Sequence, residues 1–354
     1  MEIEMIERKT LKEKPAAGSE LGFGKLFTDY MFSMVYEEGR GWHDAKISPY
    51  EPIPFDPSTS VLHYAQGVFE GAKAFKNEKG EIRIFRLAEN FSRMNRSCDR
   101  MCMPRLDADF ALKAVYRLVQ LEKDWIPTAE GTALYIRPLM IASSAELGVH
   151  AAKKYLFFVI LSPVGAYYKH GLAPTKIYVE NHYARTVAGG TGEAKCLGNY
   201  AGSIKAAEEA QKKGYDQVLW LDGVHKKYIE EVGSMNIFFV IGDEVVTPAL
   251  NGSILPGITR KSCLEILRAN GYKVSERLLS VKEVVKAHKK GRLKEVFGTG
   301  TAAVVSPVGV LGVNGENLEV NGGRMGDVTK FLYDTVTGIQ TGRLEDKFGW
   351  VTVL

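Results

Sequence analysis

The sequence predicts two α/β domains (mixed α and β) joined by one loop, and three observations carry that reading. The chain has 354 residues, more than one average domain. Short β-branched and aromatic runs recur along it, interleaved with segments of helical period. Between the halves, residues 163–174 hold two prolines, two glycines, Tyr167, Tyr168 and His170, the composition of a connecting loop. The expected partition is a smaller N-terminal domain over 1–164, an interdomain loop over 165–175 and a larger C-terminal domain over 176–354.

In the first half, Ile82 to Phe85 reads as a strand. Ala108 to Trp125 sets Phe110, Ala114, Val115, Leu118 and Val119 at helical spacing. Tyr155 to Ser162 is an unbroken β-branched and aromatic run, as expected of a buried strand. In the second half, Gln217 to Asp222 and Asn236 to Ile241 read as strands. Ser203 to Lys213 has helical composition, with Glu208–Lys212 and Glu209–Lys213 spaced to pair. A helix beginning near Thr259 is stopped by Asn270-Gly271, and Ser280 with Glu283 forms a capping box for a helix that Gly291 ends.

Composition excludes several classes of function. The chain is 45% hydrophobic and 25% charged, and a net charge of +4 is small against 46 basic and 42 acidic residues. Nothing there favours nucleic acid or an anionic membrane as partner. The longest apolar run, Tyr155 to Tyr168, contains Ser162 and Pro163 and is shorter than the about 20 residues of a membrane span. Met1 to Lys14 alternates charges and shows no apolar core with a cleavage site. Cys98, Cys102, Cys196 and Cys263 are scattered, and no histidine set has metal-ligand spacing. Reduced thiols in a cytoplasmic protein without a metal are expected.

Several segments could carry chemistry. Gly189-Gly190-Thr191-Gly192 precedes Lys195 and Gly198-Asn199-Tyr200. Clustered glycines permit close backbone approach, a lysine before a helix start can serve as a Schiff-base amine, and Tyr200 could donate to an anionic ring oxygen. The same letters also spell a solvated lysine in a flexible loop. Leu255-Pro256-Gly257-Ile258-Thr259-Arg260 opens a helix with no acid before Glu265, which suits an anion as well as an ordinary start capped by Thr259. Gly298-Thr299-Gly300-Thr301-Ala302-Ala303 is a loop of small residues whose amides could form a nest. Glu230-Glu231 precedes an apolar strand. One acid could face a pyridine nitrogen, and one of the two is expected in a solvated turn between strands. Tyr135 and Arg137 share a strand face that could grip a carboxylate, with a surface ion pair as the other reading. Phe23, Tyr64 and Phe69 read first as core aromatics.

Together these segments resemble the branched-chain aminotransferases of the fold-type-IV pyridoxal-phosphate family. The motifs are His63-Tyr64 with Val68-Phe69-Glu70-Gly71, Tyr135-Ile136-Arg137-Pro138, Lys195 with Gly198-Asn199-Tyr200, and Glu231-Val232-Gly233 with Met235-Asn236. Leu255 to Arg260 and Gly300-Thr301-Ala302 complete them, and the resemblance runs from Phe23-Gly24-Lys25 to Phe348-Gly349-Trp350. The opening segment and Glu70 to Phe75 resemble the longer subgroup that includes the animal enzymes. Where some animal members carry Cys-x-x-Cys after the Gly-Thr-Ala loop, Ala303 and Ser306 stand here, so thiol control at that place is not expected.

The resemblance implies pyridoxal 5'-phosphate joined to Lys195, which is also the proton carrier. It implies that Glu231 faces the pyridine nitrogen and that Tyr200 hydrogen-bonds the phenolic oxygen. Arg93, the amides of Ile258 and Thr259, and Thr301 would hold phosphate, with Leu255 alongside and Arg185 near it. The substrate carboxylate would meet the amides at Thr301 to Ala303, Ala302 included, with Tyr64 or Arg137. Phe23, Tyr64, Phe69, Tyr135 and Tyr167 would line the side-chain pocket, and Val149 would reach into the other subunit of a homodimer. The implied reaction moves amino groups between leucine, isoleucine or valine and 2-oxoglutarate. The same fold also hosts D-amino-acid and broad amine transaminases.

Overall fold

The computed structural model describes residues 1–16, 18–165 and 172–354. In chain order it begins with β1 (Glu4–Met5), β2 (Tyr30–Glu37), β3 (Gly41–Pro49), α1 (Ser60–Tyr64), β4 (Gly67–Phe69), β5 (Ala72–Lys76) and β6 (Ile82–Phe85). Next come α2 (Leu87–Arg100), α3 (Ala108–Leu121), β7 (Ala133–Ala142), β8 (Lys154–Val164), β9 (Thr175–Val179), α4 (Leu197–Ala201) and α5 (Ile204–Lys212). Then follow β10 (Gln217–Leu221), β11 (Ile229–Val232), β12 (Met235–Ile241), β13 (Glu244–Pro248), α6 (Ile258–Ala269), β14 (Lys273–Arg277) and α7 (Val281–Lys289). The chain closes with β15 (Leu293–Gly300), β16 (Val304–Val313), β17 (Glu316–Glu319), α8 (Asp327–Thr341) and β18 (Val351–Val353).

Two compact units form. One comprises Met1–Tyr167, Ala194–Gly198 and Ile339–Leu354; the other comprises Tyr168–Glu193 and Asn199–Gly338. Two segments therefore depart from the expected partition, because both Lys195 and the C-terminal strand fall in the first unit. The reason is main-chain pairing with distant sequence. Cys196 bridges Val68, and β18 pairs with β6 from Val351↔Phe85 to Val353↔Arg83. Hydrogen bonds of that kind leave no local pattern.

The first unit's sheet runs β1-β3-β2-β8-β7-β5-β6-β18, with β4 beside β7. β7 and β8 pair in continuous antiparallel register from Ala133↔Val164 to Ala142↔Tyr155. The run Tyr155 to Ser162, expected to be wholly buried, instead alternates. Tyr155, Phe157, Val159 and Leu161 are buried, while Leu156, Phe158 and Ile160 are only partly covered. An antiparallel strand that packs one face on a core gives this pattern. α2 and α3 cover the buried face, and Phe157 meets Phe32 and Phe91 at centroid separations of 6.1 and 6.4 Å. Asp107 caps α3, its Oδ1 accepting from the amides of Asp109 and Phe110 at 3.1 Å. The helix expected to reach Trp125 stops at Leu121, and Lys123–Trp125 is a separate 3-10 turn.

β4 and β5 both pair with β7, at Phe69↔Leu139 and Ala72↔Ile136, and Glu70-Gly71 is the break between them. Opposite that break stands Pro138, which has no N–H for the ladder. Its carbonyl still accepts from the Glu70 amide at 2.9 Å.

In the second unit the order is β11-β10-β9-β16-β15-β12-β13-β14, with β17 beside β16 and a further pairing of β11 with β12. That last pairing closes β11, β10, β9, β16, β15 and β12 into a ring. Ile177, Leu219, Ile237, Phe239, Val296 and Leu311 belong to its apolar core. α6 and α7 lie where the sequence places them, and Gly271 (φ +76) and Gly291 (φ +64) follow them in the left-handed region. α5 differs in detail. Its ion pair is Lys205–Glu209 at 3.0 Å, and Lys213 lies over the Tyr178 ring at 4.2 Å. Among the described residues no helix is long and apolar enough to cross a membrane, and no His, Cys, Asp or Glu cluster could hold a metal.

Ser280 Oγ accepts from the Glu283 amide at 3.1 Å, closing the cap of α7. Ser280→Ala should destabilise the protein by about 1 kcal/mol, read as a lower urea midpoint at unchanged slope. A second prediction concerns Lys73, paired with Tyr135 in the β5–β7 register. Burial pulls its pKa down to about 8 from 10.5. The folded chain thus releases this proton before the unfolded chain does, so stability should rise with pH between about 8 and 10.5. Lys73→Met should flatten that rise in calorimetric melts taken across the window.

Candidate active site

Lys195 is half-buried on a segment held at three points of main chain. The Phe69 amide donates to the Lys195 carbonyl at 3.0 Å, the Lys195 amide donates to Ser97 Oγ at 2.9 Å, and Cys196 bridges Val68. Its Nζ stands 4.9 Å from the Phe69 ring centroid. A cation over an aromatic face in a partly dry setting is held more firmly than in water.

α2 supplies the polar half of this surrounding. Asn90, Arg93 and Ser97 fall at helical spacing and are all buried. Arg93 grips Glu70 through two parallel bonds, Nε to Oε1 at 2.7 Å and Nη2 to Oε2 at 2.8 Å. Asn90 Nδ2 adds a bond to Glu70 Oε2 at 2.8 Å. Burial pushes the Glu70 carboxyl up, but the Arg93 guanidinium, the charge of Lys195 and the Asn90 amide outweigh it and hold the group below the usual range. Sequence reading gave Glu70, Asn90 and Ser97 no role. The available signal was an acid inside an otherwise apolar strand run, with a buried cation as its necessary partner.

Tyr135 and Arg137 share one face of β7 as expected. Arg137 Nη2 donates to Tyr135 Oη at 3.1 Å, and its guanidinium stands 4.8 Å from the Phe69 centroid and 5.2 Å from that of Tyr135. The arginine is held against these rings rather than in a surface ion pair. Arg137 Nε is buried and has no hydrogen-bond partner among the described residues. Phe23 meets Tyr135 edge-on at 5.1 Å. A Cβ at Gly71 would lie 2.0 Å from Tyr135 Oη, so only glycine admits the phenol at this height. Phe23, Phe69, Tyr135 and Arg137 thus come together. Tyr64 (41% exposed) and Val149 (88% exposed) do not join them and face outward. Tyr167 lies outside the described residues.

The second unit carries the other expected residues. Glu231, buried on β11, has Oε2 2.8 Å from Arg185 Nη1, and its Oε1 accepts from Asn236 Nδ2 at 3.1 Å and from the Leu255 amide at 3.3 Å. Arg185, expected near phosphate, is therefore engaged by Glu231, and it also donates to the Ser253 carbonyl at 3.0 Å. Glu230 overturns the expectation of a solvated turn. It too is buried, accepting from Ser253 Oγ and, at 3.3 Å, from Asn251 Nδ2. β11 is paired on both edges, so neither acid is left at a rim.

α6 begins at Ile258 with Gly257, not Thr259, as its cap residue; it has no side-chain cap and no acid in its first turn. A Cβ at Gly257 would fall 2.0 Å from Asn236 Oδ1, which sets this helix start against the β12 residue that bonds Glu231. The expected loop 298–303 is shorter than anticipated. Gly298 to Gly300 continue β15, and Thr301, Ala302 and Ala303 form a half-buried turn beyond it. Just before that turn, Thr299 Oγ1 is buried without a partner among the described residues. Tyr200 sits half-buried on α4, and its neighbour Asn199 bonds back to the Thr191 carbonyl at 2.8 Å. Gly192 is required in that loop, since a Cβ there would lie 2.1 Å from the Ser253 carbonyl oxygen.

The amino-transferase class IV family model matches residues 67–310. The chain is 55% identical over 350 residues to branched-chain-amino-acid transaminase 1 of Bacillus subtilis (strain 168), covering 98% of each chain. It is 46% identical over 340 residues to the branched-chain-amino-acid aminotransferase of Mycobacterium tuberculosis (strain CDC 1551 / Oshkosh), covering 95% of this chain and 92% of that one. Among solved structures it is similar to the branched-chain aminotransferase of Thermoproteus uzoniensis with norvaline, at TM-score 0.75 and 26% identity, over 91% of this chain and 99% of that one. The branched-chain amino acid aminotransferase from Escherichia coli matches at TM-score 0.71 and 28% identity, over 91% and 98% of the two chains. Fold-type-IV aminotransferases use pyridoxal phosphate. The chain belongs to the class IV amino-transferases and, within them, to the branched-chain aminotransferases of fold type IV.

Proposed function

We propose that the chain transfers the amino group of L-leucine, L-isoleucine or L-valine reversibly to 2-oxoglutarate, using pyridoxal 5'-phosphate anchored at Lys195. The observation that carries the reading is Lys195 fixed beside Phe69, with Glu70 and Arg93 close by, in a chain so similar to a named branched-chain transaminase. The chemistry of the residues present suits the cofactor. There is an anchored amine, a buried guanidinium at Arg93, a helix start without a side-chain cap or acids, a Thr299 hydroxyl unpartnered among the described residues, and a buried carboxylate at Glu231. When bound, the cofactor supplies the aldehyde that takes the amino group and the ring that accepts the electron pair left by the departing α-proton.

In this reading Lys195 Nζ would anchor the cofactor and would carry the α-proton from the substrate's α-carbon to the cofactor carbon beyond the shared nitrogen. Glu231 holds the proton on the ring nitrogen, and Arg185 and Asn236 fix the orientation of that carboxylate. Tyr200 donates to the phenolic oxygen. Arg93, the amides of Ile258 and Thr259, and Thr301 hold phosphate, with Leu255 beside them. The amides from Thr301 to Ala303 bind the substrate α-carboxylate, with help from Arg137. Phe23, Phe69, Tyr135 and Tyr167 enclose the branched side chain by apolar burial, at roughly 25 cal/mol per Å².

A distal carboxylate in that apolar setting needs a partner, and Arg137 Nε supports that role. The exposed Leu147 and Val149 support a homodimer in which Val149 completes the other subunit's pocket. Four free cysteines support a cytoplasmic setting.

Borohydride reduction with pyridoxal phosphate should leave a pyridoxyl adduct on Lys195 by peptide mass, and L-leucine alone should bleach the visible absorbance of the bound cofactor. An unmodified Lys195, or bleaching by D-alanine in place of L-leucine, would overturn the proposal. Separately, Arg137→Gln should lower kcat/KM for 2-oxoglutarate by about 10- to 100-fold, the scale of a lost charged hydrogen bond. L-Leucine should change by less than about threefold, since its side chain uses only apolar contact. Equal losses on both would remove Arg137 from this role.

A further inference from the structure

We infer that Glu70 is a positioning residue for the reaction, orienting Arg93 and supplying the negative charge beside the Lys195 amine; the inference rests on the roles proposed above for those two residues. Four observations converge. Glu70 is fully buried at the β4–β5 break, where Pro138 interrupts the ladder. Its two oxygens occupy the Nε–Nη2 edge of Arg93, which fixes the plane of the guanidinium. Asn90 Nδ2 binds both Glu70 Oε2 and the Gly71 carbonyl, so the carboxylate itself cannot swing. The residue before Glu70 donates its amide to the Lys195 carbonyl and sets its ring under the Lys195 amine.

Physical chemistry turns this arrangement into two consequences. A guanidinium gripped along one edge meets a phosphate only from its remaining side, so its geometry toward an anion is set in advance. Glu70 adjoins Phe69, whose amide and ring hold Lys195, so its negative charge lies in the neighbourhood of that amine. Arg93 and Lys195 place two cations in one buried neighbourhood, and Glu70 offsets one of them. A buried pair stripped of one partner leaves the other charge uncompensated. Glu70 need not touch substrate for either effect.

The test uses the full chain reconstituted with pyridoxal 5'-phosphate. Glu70→Gln keeps the volume and removes the charge. The pH at which the bound cofactor's visible absorbance titrates should fall by about one unit, the scale of a lost opposite charge nearby. The Kd for the cofactor should rise about tenfold, and kcat should fall while KM for L-leucine stays within about twofold. An unchanged titration with an unchanged Kd overturns the inference, even if the melting temperature drops, because a merely structural residue would do only that.

Should Glu70→Gln fail to fold, Glu70→Asp decides instead. It keeps the charge but shortens the reach, so cofactor affinity should weaken while the titration stays near the native value. Native affinity in that variant overturns the inference. The unsubstituted protein measured alongside separates the two levels of argument. If it shows no Lys195-linked cofactor, the reading of the site has failed rather than the role of Glu70.

Discussion

The main-chain bond from Phe69 to Lys195 is the constraint from which the surroundings of the lysine in the first unit follow. It seats residues 194–198 against β4, so the lysine takes its place from a strand more than a hundred residues earlier rather than from its own neighbours. With the backbone fixed there, Ser97 holds the Lys195 amide and the Phe69 ring lies against the ammonium. A long flexible side chain costs up to about 2 kcal/mol of rotamer entropy to order. Fixing its base at three points lowers what remains to be ordered at the amine.

Each unit also buries a carboxylate with an arginine, Glu70 with Arg93 in one and Glu231 with Arg185 in the other. Buried pairs of this type contribute little net stability, because desolvation offsets most of the attraction. Each is further bound by an asparagine: Asn90 adds a second bond to Glu70 Oε2, and Asn236 binds Glu231 Oε1 while Arg185 meets Oε2. Such pairs are better understood as devices that hold a charge at one place and in one orientation. That is the requirement of a site that must stabilise charge during reaction without rearranging.

Phe23, Phe69, Tyr135 and Arg137 combine apolar walls with one cation lying flat against two rings. Stacked in this way, the guanidinium lies flat against the rings while its N–H groups stay at the edge of its plane. Gly71 allows the arrangement, since any side chain there would displace the Tyr135 hydroxyl. The backbone prepares this arrangement, because the β4–β5 break brings a residue without a side chain against the Tyr135 hydroxyl.

The sequence by itself determined the local elements and the inventory of reactive groups. Period and capping located α6 and α7, alternation on β7 put Tyr135 and Arg137 on one face, and glycine clustering marked the approach to Lys195. These are short-range effects, set by neighbours within a few residues. Tertiary structure alone decided that Lys195 belongs to the first unit, that Glu230 is buried along with Glu231, and that Arg185 is engaged by Glu231 rather than left for phosphate. It also decided that Glu70, unassigned from sequence, is the partner of Arg93. The physical reason is common to all four. Burial and ion pairing depend on which distant strands share hydrogen bonds, and no window of sequence encodes that sharing.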